Sequence, residues 1–315
     1  MPLRFTLRQL EYLVAVGECG SIAVAAEKVN VSSPSISAAI AHLEQEFGLQ
    51  LFIRRHAQGL TLTSAGRQVY DHARQLLLQA GQLNDLASSI TQTVQGPLHV
   101  GCLITFAQVI LPQVRRGFVD LHPQVEFHQV EGSQPDLFDG LRRATLDAAL
   151  GYDLDIPSDL SFVPLASLTP YAVLTPAHPL ADRAQVTPRD LADHPMVLLD
   201  LPLSADYFLS CFTAAGVVPR VVERTRDMGV MHSLVGQGFG YSIANIRPWS
   251  DRSPDGQPLR FVPLAGAVRP MQLGLILAEG AQSSFSVRAF VDYCRSHLTP
   301  EKVRSLRAGV DPGAA

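Results

Sequence analysis

From residue 63 to about residue 93 the chain runs without proline, and its apolar side chains fall on one helical face: Val69, Ala73, Leu76, Ala80, Leu83, Ala87, Ile90 and Val94. The spacing alternates between four and three residues, which is the heptad seam of a helix that packs against another helix. Thr63 offers a capping hydroxyl, and Gly66 and Gly81 are the weak points inside the run. About thirty helical residues span roughly 45 Å, too long for a simple tether. The seam predicts pairing with a second copy of the chain; packing against the chain's own C-terminal part is the alternative. Gln95-Gly96-Pro97 then ends the helix and marks a boundary. This helix divides the 315 residues into an N-terminal module (1–62), the helix itself (63–95), a large domain (96–300) and a tail (301–315).

Three short helices are legible in the N-terminal module. Thr6 caps the first, which carries Leu7, Leu10, Tyr12, Leu13, Val14 and Val16. Ser21 caps the second, with Ile22, Ala25, Ala26 and Val29 at helical spacing, and Asn30-Val31 makes the turn. Ser33 is expected to cap the third, with Pro34 at its first position, where a missing N–H costs nothing. Ile36, Ile40, Leu43 and Phe47 then point inward, leaving Ser35, Ser37, Ala38, Ala39 and His42 outward. Small polar residues at the start of such a helix permit close approach to base edges in a major groove. A plain three-helix bundle without a DNA role fits the same periodicity. Two strand-like runs follow, 49–53 and 60–62, separated by a loop holding Arg54 and Arg55. A basic two-stranded wing suits phosphate contact, although both arginines also suit a solvated loop.

At this point a resemblance becomes specific. The chain carries Leu7-Arg8-Gln9-Leu10, Ala25-Ala26-Glu27, Ser32-x-Pro34-x-Ile36-Ser37, Leu43-Glu44, Leu51-Phe52 and Leu62-Thr63-x-Ala65-Gly66, in that order and spacing. Over some sixty residues it resembles the N-terminal signature of LysR-type transcriptional regulators. The resemblance implies a helix-turn-helix at about 22–41, with Ser33, Pro34, Ser35, Ser37, Ala38 and His42 toward the bases and Arg54 and Arg55 toward phosphates. The family usually has Gln at the position of Ser33 and basic residues at those of Ala38 and Ala39, so this helix presents fewer donors. The same resemblance assigns the long helix to dimerisation.

Beyond residue 97 strands and helices alternate: a strand at 98–102, a helix at 106–121, a strand at 125–130, a helix at 136–144 and a buried strand at 147–151. Such alternation predicts a parallel sheet covered on both faces. A second set follows near 171–175, 196–199, 205–215, 218–223, a helix to residue 235, and 241–244. The chain then returns with 273–278 and a last helix near 286–297. Two crossovers predict two lobes around a cleft, lobe I at about 96–168 and 268–300, lobe II at about 169–267. Ligands of open α/β sheets sit beyond the strand C-termini. That rule selects Thr105 with Phe106, Ser133 with Gln134, Leu199, Pro202 and Ser204, and Thr225. Thr105 could instead be only a helix cap. Leu98-x-Val100-Gly101, Leu111-Pro112, His178-Pro179-Leu180 and Leu234-Val235-x-x-Gly238-x-Gly240 resemble the LysR-type effector domain, itself similar to periplasmic solute-binding proteins. In the family, the positions matching Thr105, Ser133 and Pro202 touch effector.

The fold class expected is therefore multidomain: an all-α winged helix-turn-helix, a linker helix, and a two-lobed α/β effector domain of periplasmic-binding-protein type. Net charge is −4; the first seventy residues hold six Lys and Arg against five Glu, +1, so the rest carries −5. That asymmetry has the sign DNA binding needs, and it is small. Four scattered cysteines lack metal-ligand spacing and read as buried hydrophobes, a redox thiol being the alternative. No G-x-S-x-G elbow, H-E-x-x-H or P-loop motif is present, and Gly236-x-Gly238-x-Gly240 lacks the strand-then-helix setting of a dinucleotide loop. No enzyme activity, cofactor or metal is expected. Glu11 and Glu18 break the first apolar stretch, which excludes a signal peptide; no run is long enough to span a membrane, so the cytoplasm is expected. The partners expected are an operator in double-stranded DNA, a small and anionic effector, a second copy of the chain in a homodimer or homotetramer, and RNA polymerase if the protein activates. A solute-binding protein without a DNA role is the rival reading.

Overall fold

The computed structural model describes residues 3–55, 59–91, 93–266, 268–281 and 284–299, and these form two compact units, Met1–Thr91 and Gln92–Ala315. The loop tip at 56–58, the side chains of Arg55, Ala87 and Ile90, and the tail 301–315 lie outside the described residues.

In the first unit α1 (Leu7–Cys19), α2 (Ile22–Lys28) and α3 (Ser33–Phe47) pack around Leu10, Leu13, Val16, Ala25, Ile36, Ile40 and Leu43. Thr6 caps α1 in a reciprocal capping box with Gln9. Ser21 holds the cap position of α2, but its side chain makes no capping bond. Asn30 turns the chain with φ +52, a left-handed conformation that Asn tolerates, and sends Val31 N–H back to Ala26 O at 3.0 Å. The cap of α3 is Ser32, one residue earlier than expected: its Oγ accepts from Ser35 N, which places Ser33 and Pro34 inside the first turn. Ala39 is buried, 6% exposed, because Ile36, Ala39, Ile40 and Leu43 form one inward face.

Strands β1 (Phe52–Arg55) and β2 (Gly59–Leu62) pair antiparallel, with Phe52 opposite Leu62 and Arg55 opposite Gly59. Arg54 and Arg55 thus lie on a strand and not in the loop, since pairing continues to Gly59. Thr63 Oγ1 accepts from Gly66 N at 2.8 Å and caps α4 (Ser64–Thr91). The seam of α4 is divided. Ala73, with Val69 partly buried beside it, packs into the core of its own unit, whereas Leu76 is 44% and Leu83 69% exposed.

The second unit opens with β3 (Gln95–Leu103). Gln95-Gly96-Pro97 is therefore no loop; it pairs with Gln124, Val125 and Glu126 of β4 (Gln124–Gly132). The helix expected at 106–121 is two, α5 (Ile104–Val109) and α6 (Leu111–Leu121), divided where Pro112 lacks the N–H that a continuous helix would use. Then come α7 (Gln134–Arg142), β5 (Ala148–Tyr152) and β6 (Leu160–Leu168), a strand with no counterpart in the sequence expectation. Lobe II holds β7 (Tyr171–Leu174), α8 (Pro188–Leu191), β8 (Pro195–Leu199), α9 (Ser204–Ala214), β9 (Arg220–Thr225), α10 (Met228–Gly236), β10 (Ser242–Ala244) and β11 (Arg260–Pro263). The chain re-enters lobe I as β12 (Met271–Ala278) and ends on α11 (Phe285–His297).

The sheets are mixed, not purely parallel. Lobe I has the order β4-β3-β5-β12-β6, parallel among β4, β3 and β5, with β12 antiparallel to both β5 and β6. In lobe II β10 and β11 flank β7 antiparallel, β8 and β9 pair parallel, and a bridge from Met196 to Tyr241 joins the two groups. Returning strands need no helical crossover, which is why period and alternation did not reveal their direction.

Gly66 sits where the first turn of α4 meets the backbone of Leu51: a Cβ there would lie 2.0 Å from Leu51 O. Gly66→Ala should therefore lower the stability of the first unit by about 2 kcal/mol or more, although alanine favours helices. Thermal unfolding of the full chain beside Gly81→Ala, whose added methyl meets nothing within 4 Å, checks this: only the Gly66 variant should fall.

Candidate functional site

Two sites emerge, one in each unit. On α3, Pro34, Ser35, Ser37 and Ala38 are exposed and Ser33 and His42 are half-buried. The Ser35 hydroxyl is shared with Ser32 Oγ at 2.8 Å. His42 Nδ1 lies 3.3 Å from Gln9 Nε2 on α1. The wing is tied to this helix by one carboxylate: Glu44 Oε1 accepts from Leu51 N at 2.7 Å and Phe52 N at 3.3 Å. Arg54 projects from the strand so held and is exposed, making it the wing cation whose side chain is described. Lys28 is occupied by Glu18 at 2.7 Å, and that hydrogen bond raises its pKa, leaving it a weaker candidate for phosphate. Arg8 is exposed at the opening of α1, with Nε donating to Tyr12 Oη at 2.8 Å.

In the second unit a small cavity of about 10 Å³, room for about one water molecule, lies between the lobes. Lobe I contributes Thr105 and Tyr152; lobe II contributes Leu199, Leu201, Ser204, Phe208 and Met228, and the segment Ala244-Asn245-Ile246 closes it. Thr105 is not a cap: Leu103 holds the cap position of α5, and the Thr105 hydroxyl, on a residue only 5% exposed, has no hydrogen-bond partner among the described residues. Leaving a hydroxyl dry and unpaired costs about 1–3 kcal/mol, so a cavity-facing group of this kind points to something that would bind it. Ser204, 3% exposed, begins α9 directly after Leu203, whose φ of +66 is left-handed and disfavoured for a γ-branched residue. Tyr152 Oη donates to Asn245 Oδ1 at 2.6 Å and joins the lobes across the cavity. Among the described residues, no lysine, arginine or carboxylate lines the cavity.

The expected effector residues separate into groups. Thr105, Leu199 and Ser204 meet at the cavity. Phe106 is fully buried behind it, edge-on to Tyr152 at 4.6 Å between ring centroids. Gln134 supports from the rear: its amide accepts from Tyr152 N at 2.9 Å and donates to Tyr152 O at 3.1 Å and Leu154 O at 2.7 Å, which uses both its donors. Ser133 is spent on the capping box of α7, its N–H and hydroxyl both meeting Asp136, whose pKa those bonds lower. Pro202 is exposed, and Thr225 Oγ1 accepts from Asp227 N at 3.2 Å; neither lines the cavity. Tyr152, Phe208, Met228 and Asn245 were missed. Asn245 follows β10 as Thr105 follows β3, so the same strand-end rule would have found it.

Three of the four cysteines fit the inert reading, while Cys19 is half-buried. Cys102, Cys211 and Cys294 are buried, and burial raises all three thiols, Cys211 to about 11, away from the reactive thiolate. No cluster of three metal-ligating side chains occurs among the described residues.

Comparison with known proteins assigns both units to one family. Residues 7–67 match the bacterial regulatory helix-turn-helix protein family of lysR type, and residues 91–299 match the LysR substrate binding domain. The transcriptional activator protein LysR of Escherichia coli is 29% identical over 303 residues, covering 96% of each chain. The crystal structure of HinK, a LysR family transcriptional regulator from Pseudomonas aeruginosa, is 37% identical, with TM-score 0.63 over 94% of this chain and 99% of its own. Full-length CbnR in complex with its target DNA shares the fold at TM-score 0.62 and 24% identity, covering 93% and 99%.

His232 on α10 gives the second unit a pH signature. It is 3% exposed, and burial lowers its pKa from 6.5 to about 4, Asp227 opposing weakly. Between those values the unfolded chain binds a proton that the folded one refuses, so stability falls as pH drops through that window. Urea titrations should find His232→Leu losing less stability than the wild type from pH 6.5 to about 4, by up to about 3 kcal/mol.

Proposed function

This chain belongs to the LysR family of DNA-binding transcriptional regulators, and from that premise we propose that α3 reads an operator while a small anionic molecule, held between the lobes, sets how that operator is occupied. The observation that carries the ligand half is Thr105, a buried hydroxyl without a described partner that faces a cavity spanning both lobes. Ser204, at the amino end of α9, borders the same space and offers its hydroxyl. Such a donor set suits a carboxylate without an ion pair, because helix amino ends favour negative charge by about 0.3–1 kcal/mol each. In this arrangement the cavity has room for about one water, so a metabolite requires the lobes to part around it. A ligand that binds the closed arrangement of the lobes better than the open one shifts their populations by that difference and by no more.

The DNA half rests on the exposed, small residues of α3 and on Arg54 beside them. Serines and alanines at Ser35, Ser37 and Ala38 allow the helix backbone close to base edges, while Arg54 supplies phosphate attraction. Two copies paired through the outer part of α4, where Leu76 and Leu83 are exposed, present two such helices to two half-sites, and pairs of dimers make the homotetramer. The protein acts in the cytoplasm, as a regulator and not an enzyme, and contacts RNA polymerase where it activates.

Two measurements test this reading. Arg54→Ala should weaken binding to every duplex and reduce the salt slope by about one, whereas Ser37→Ala should change which duplexes are chosen; gel shifts on randomised and upstream duplexes read both, and identical behaviour of the two variants would contradict the division of roles. Small carboxylic acids should raise the melting temperature by several degrees at about 100-fold over Kd, their amides less, and Thr105→Val should blunt the response. Equal shifts from acid and amide would contradict the charge, and no shift from either would contradict the ligand.

A further inference from the structure

Between residues 33 and 42 the side chains of α3 are Ser, Pro, Ser, Ile, Ser, Ala, Ala, Ile, Ala and His, so His42 carries the one side-chain N–H in that stretch. Which of its ring nitrogens bears the proton decides whether it can donate outward. The chemistry of its neighbour settles that question.

Gln9 stands at the third position of α1 and completes the capping box with Thr6: Thr6 N donates to Gln9 Oε1 at 2.9 Å, and Gln9 N donates to Thr6 Oγ1 at 3.2 Å. A backbone N–H can only donate, so the amide oxygen must face Thr6. Turning the amide over would set two donors against each other. With the oxygen fixed, the NH2 group faces His42 Nδ1 at 3.3 Å. An amide nitrogen has no lone pair to offer, so Nδ1 must be the acceptor and the proton of the neutral ring must sit on Nε2.

We infer that Gln9 is a positioning residue of the DNA-reading face: through the cap of α1 it selects the Nε2–H tautomer of His42, which then donates to an acceptor atom of DNA. This rests on the reading of α3 as the operator-contacting helix and adds to it a proton position. The acceptors of matching chemistry are the ring nitrogens and carbonyl oxygens of base edges in the major groove, or a phosphate oxygen. The device also accounts for how a helix without a cation at Ala38 retains a directional donor one turn further on. The coupling is local: α1 and α3 share a core through Leu10, Leu13, Ile36 and Ile40, so neither Gln9 nor His42 can drift without moving packed neighbours.

The test uses the full-length protein with nitrogen-15 histidine, the His42 signals identified by their loss in His42→Asn. In the wild type the ring should show an unprotonated Nδ1 and a protonated Nε2. Gln9→Glu keeps the capping acceptor, because a carboxylate serves the box as well as an amide, but it can only accept toward His42; Nδ1 should become protonated while the melting temperature holds. Binding is read with Gln9→Met, which adds no charge and releases the tautomer. Its affinity for the duplex that the wild type selects from a random pool should fall on the order of threefold or more, with unrelated duplexes unaffected if a base edge is the acceptor and all duplexes weakened alike if a phosphate is. A wild-type ring protonated on Nδ1 overturns the inference, as does Gln9→Met binding every duplex like the wild type. If the wild type itself selects no sequence, the operator-reading role of α3 fails and the DNA contact falls with it, while the ring signals still decide whether Gln9 sets the tautomer.

Discussion

The second unit is governed by a strand that has to come home. β12 enters lobe I late in the chain and lies between β5 and β6, antiparallel to both, with Met271, Leu273, Leu275, Ile276 and Leu277 fully buried. Burying five such side chains contributes roughly 1.5–3 kcal/mol each, before entropy is counted. Because lobe II is inserted between β6 and β12, the chain must cross between lobes twice, and whatever lies beside those crossings can respond to their relative position. Asp153, at the end of β5, marks the place: Oδ1 accepts from Gln272 N and Oδ2 from Arg269 Nη1, each at 2.7 Å. Tyr152, one residue earlier, reaches across to Asn245. The cavity, the crossings and the polar contacts between lobes are consequences of one topological fact.

The first unit is organised on similar terms but with shorter reach. Glu44 ties α3 to the start of the wing through two backbone N–H groups, and Gly66 lets α4 begin against the backbone of Leu51. Helix α3, the β1–β2 wing and α4 are therefore braced by contacts between neighbours in sequence. For a DNA-binding head this matters, because base contacts discriminate only when the helix that bears them is held in a fixed orientation.

Much of this was legible in the sequence wherever side-chain chemistry and period agree. The three helices, the Asn30 turn and the capped start of α4 follow from spacing and caps, and the alternation beyond residue 97 gave the α/β class of the second unit. Misreadings fell where the decisive interaction is backbone to backbone. Ser33 was expected as the cap of α3, but the extended residue whose hydroxyl takes the Ser35 N–H is Ser32, φ −76 and ψ 143. The heptad of α4 is continuous as a pattern, yet its first positions, Val69 and Ala73, are consumed by the winged helix itself, because a helix seated on Leu51 inevitably turns one face inward. Strand direction in the mixed sheets left no trace in periodicity. In the cavity, Gln134 and Ser133 were chosen as polar residues at a helix start, but each is committed to its own backbone surroundings; polarity at a strand end nominates a residue without saying whether its hydrogen bonds are already used.

We propose that two sites in different units of one chain are energetically coupled: an operator held by α3 and a small molecule held near Thr105. Linkage makes that claim testable in both directions, since a ligand that changes operator affinity by some factor must have its own affinity changed by the same factor. The direct measurement is fluorescence anisotropy of a labelled operator duplex titrated with the full-length protein at zero and saturating ligand, paired with calorimetric titration of the ligand into free and DNA-bound protein. The account predicts one common factor in both experiments, in the range of about 5- to 150-fold. Operator affinity independent of ligand, together with ligand affinity independent of DNA, would contradict it.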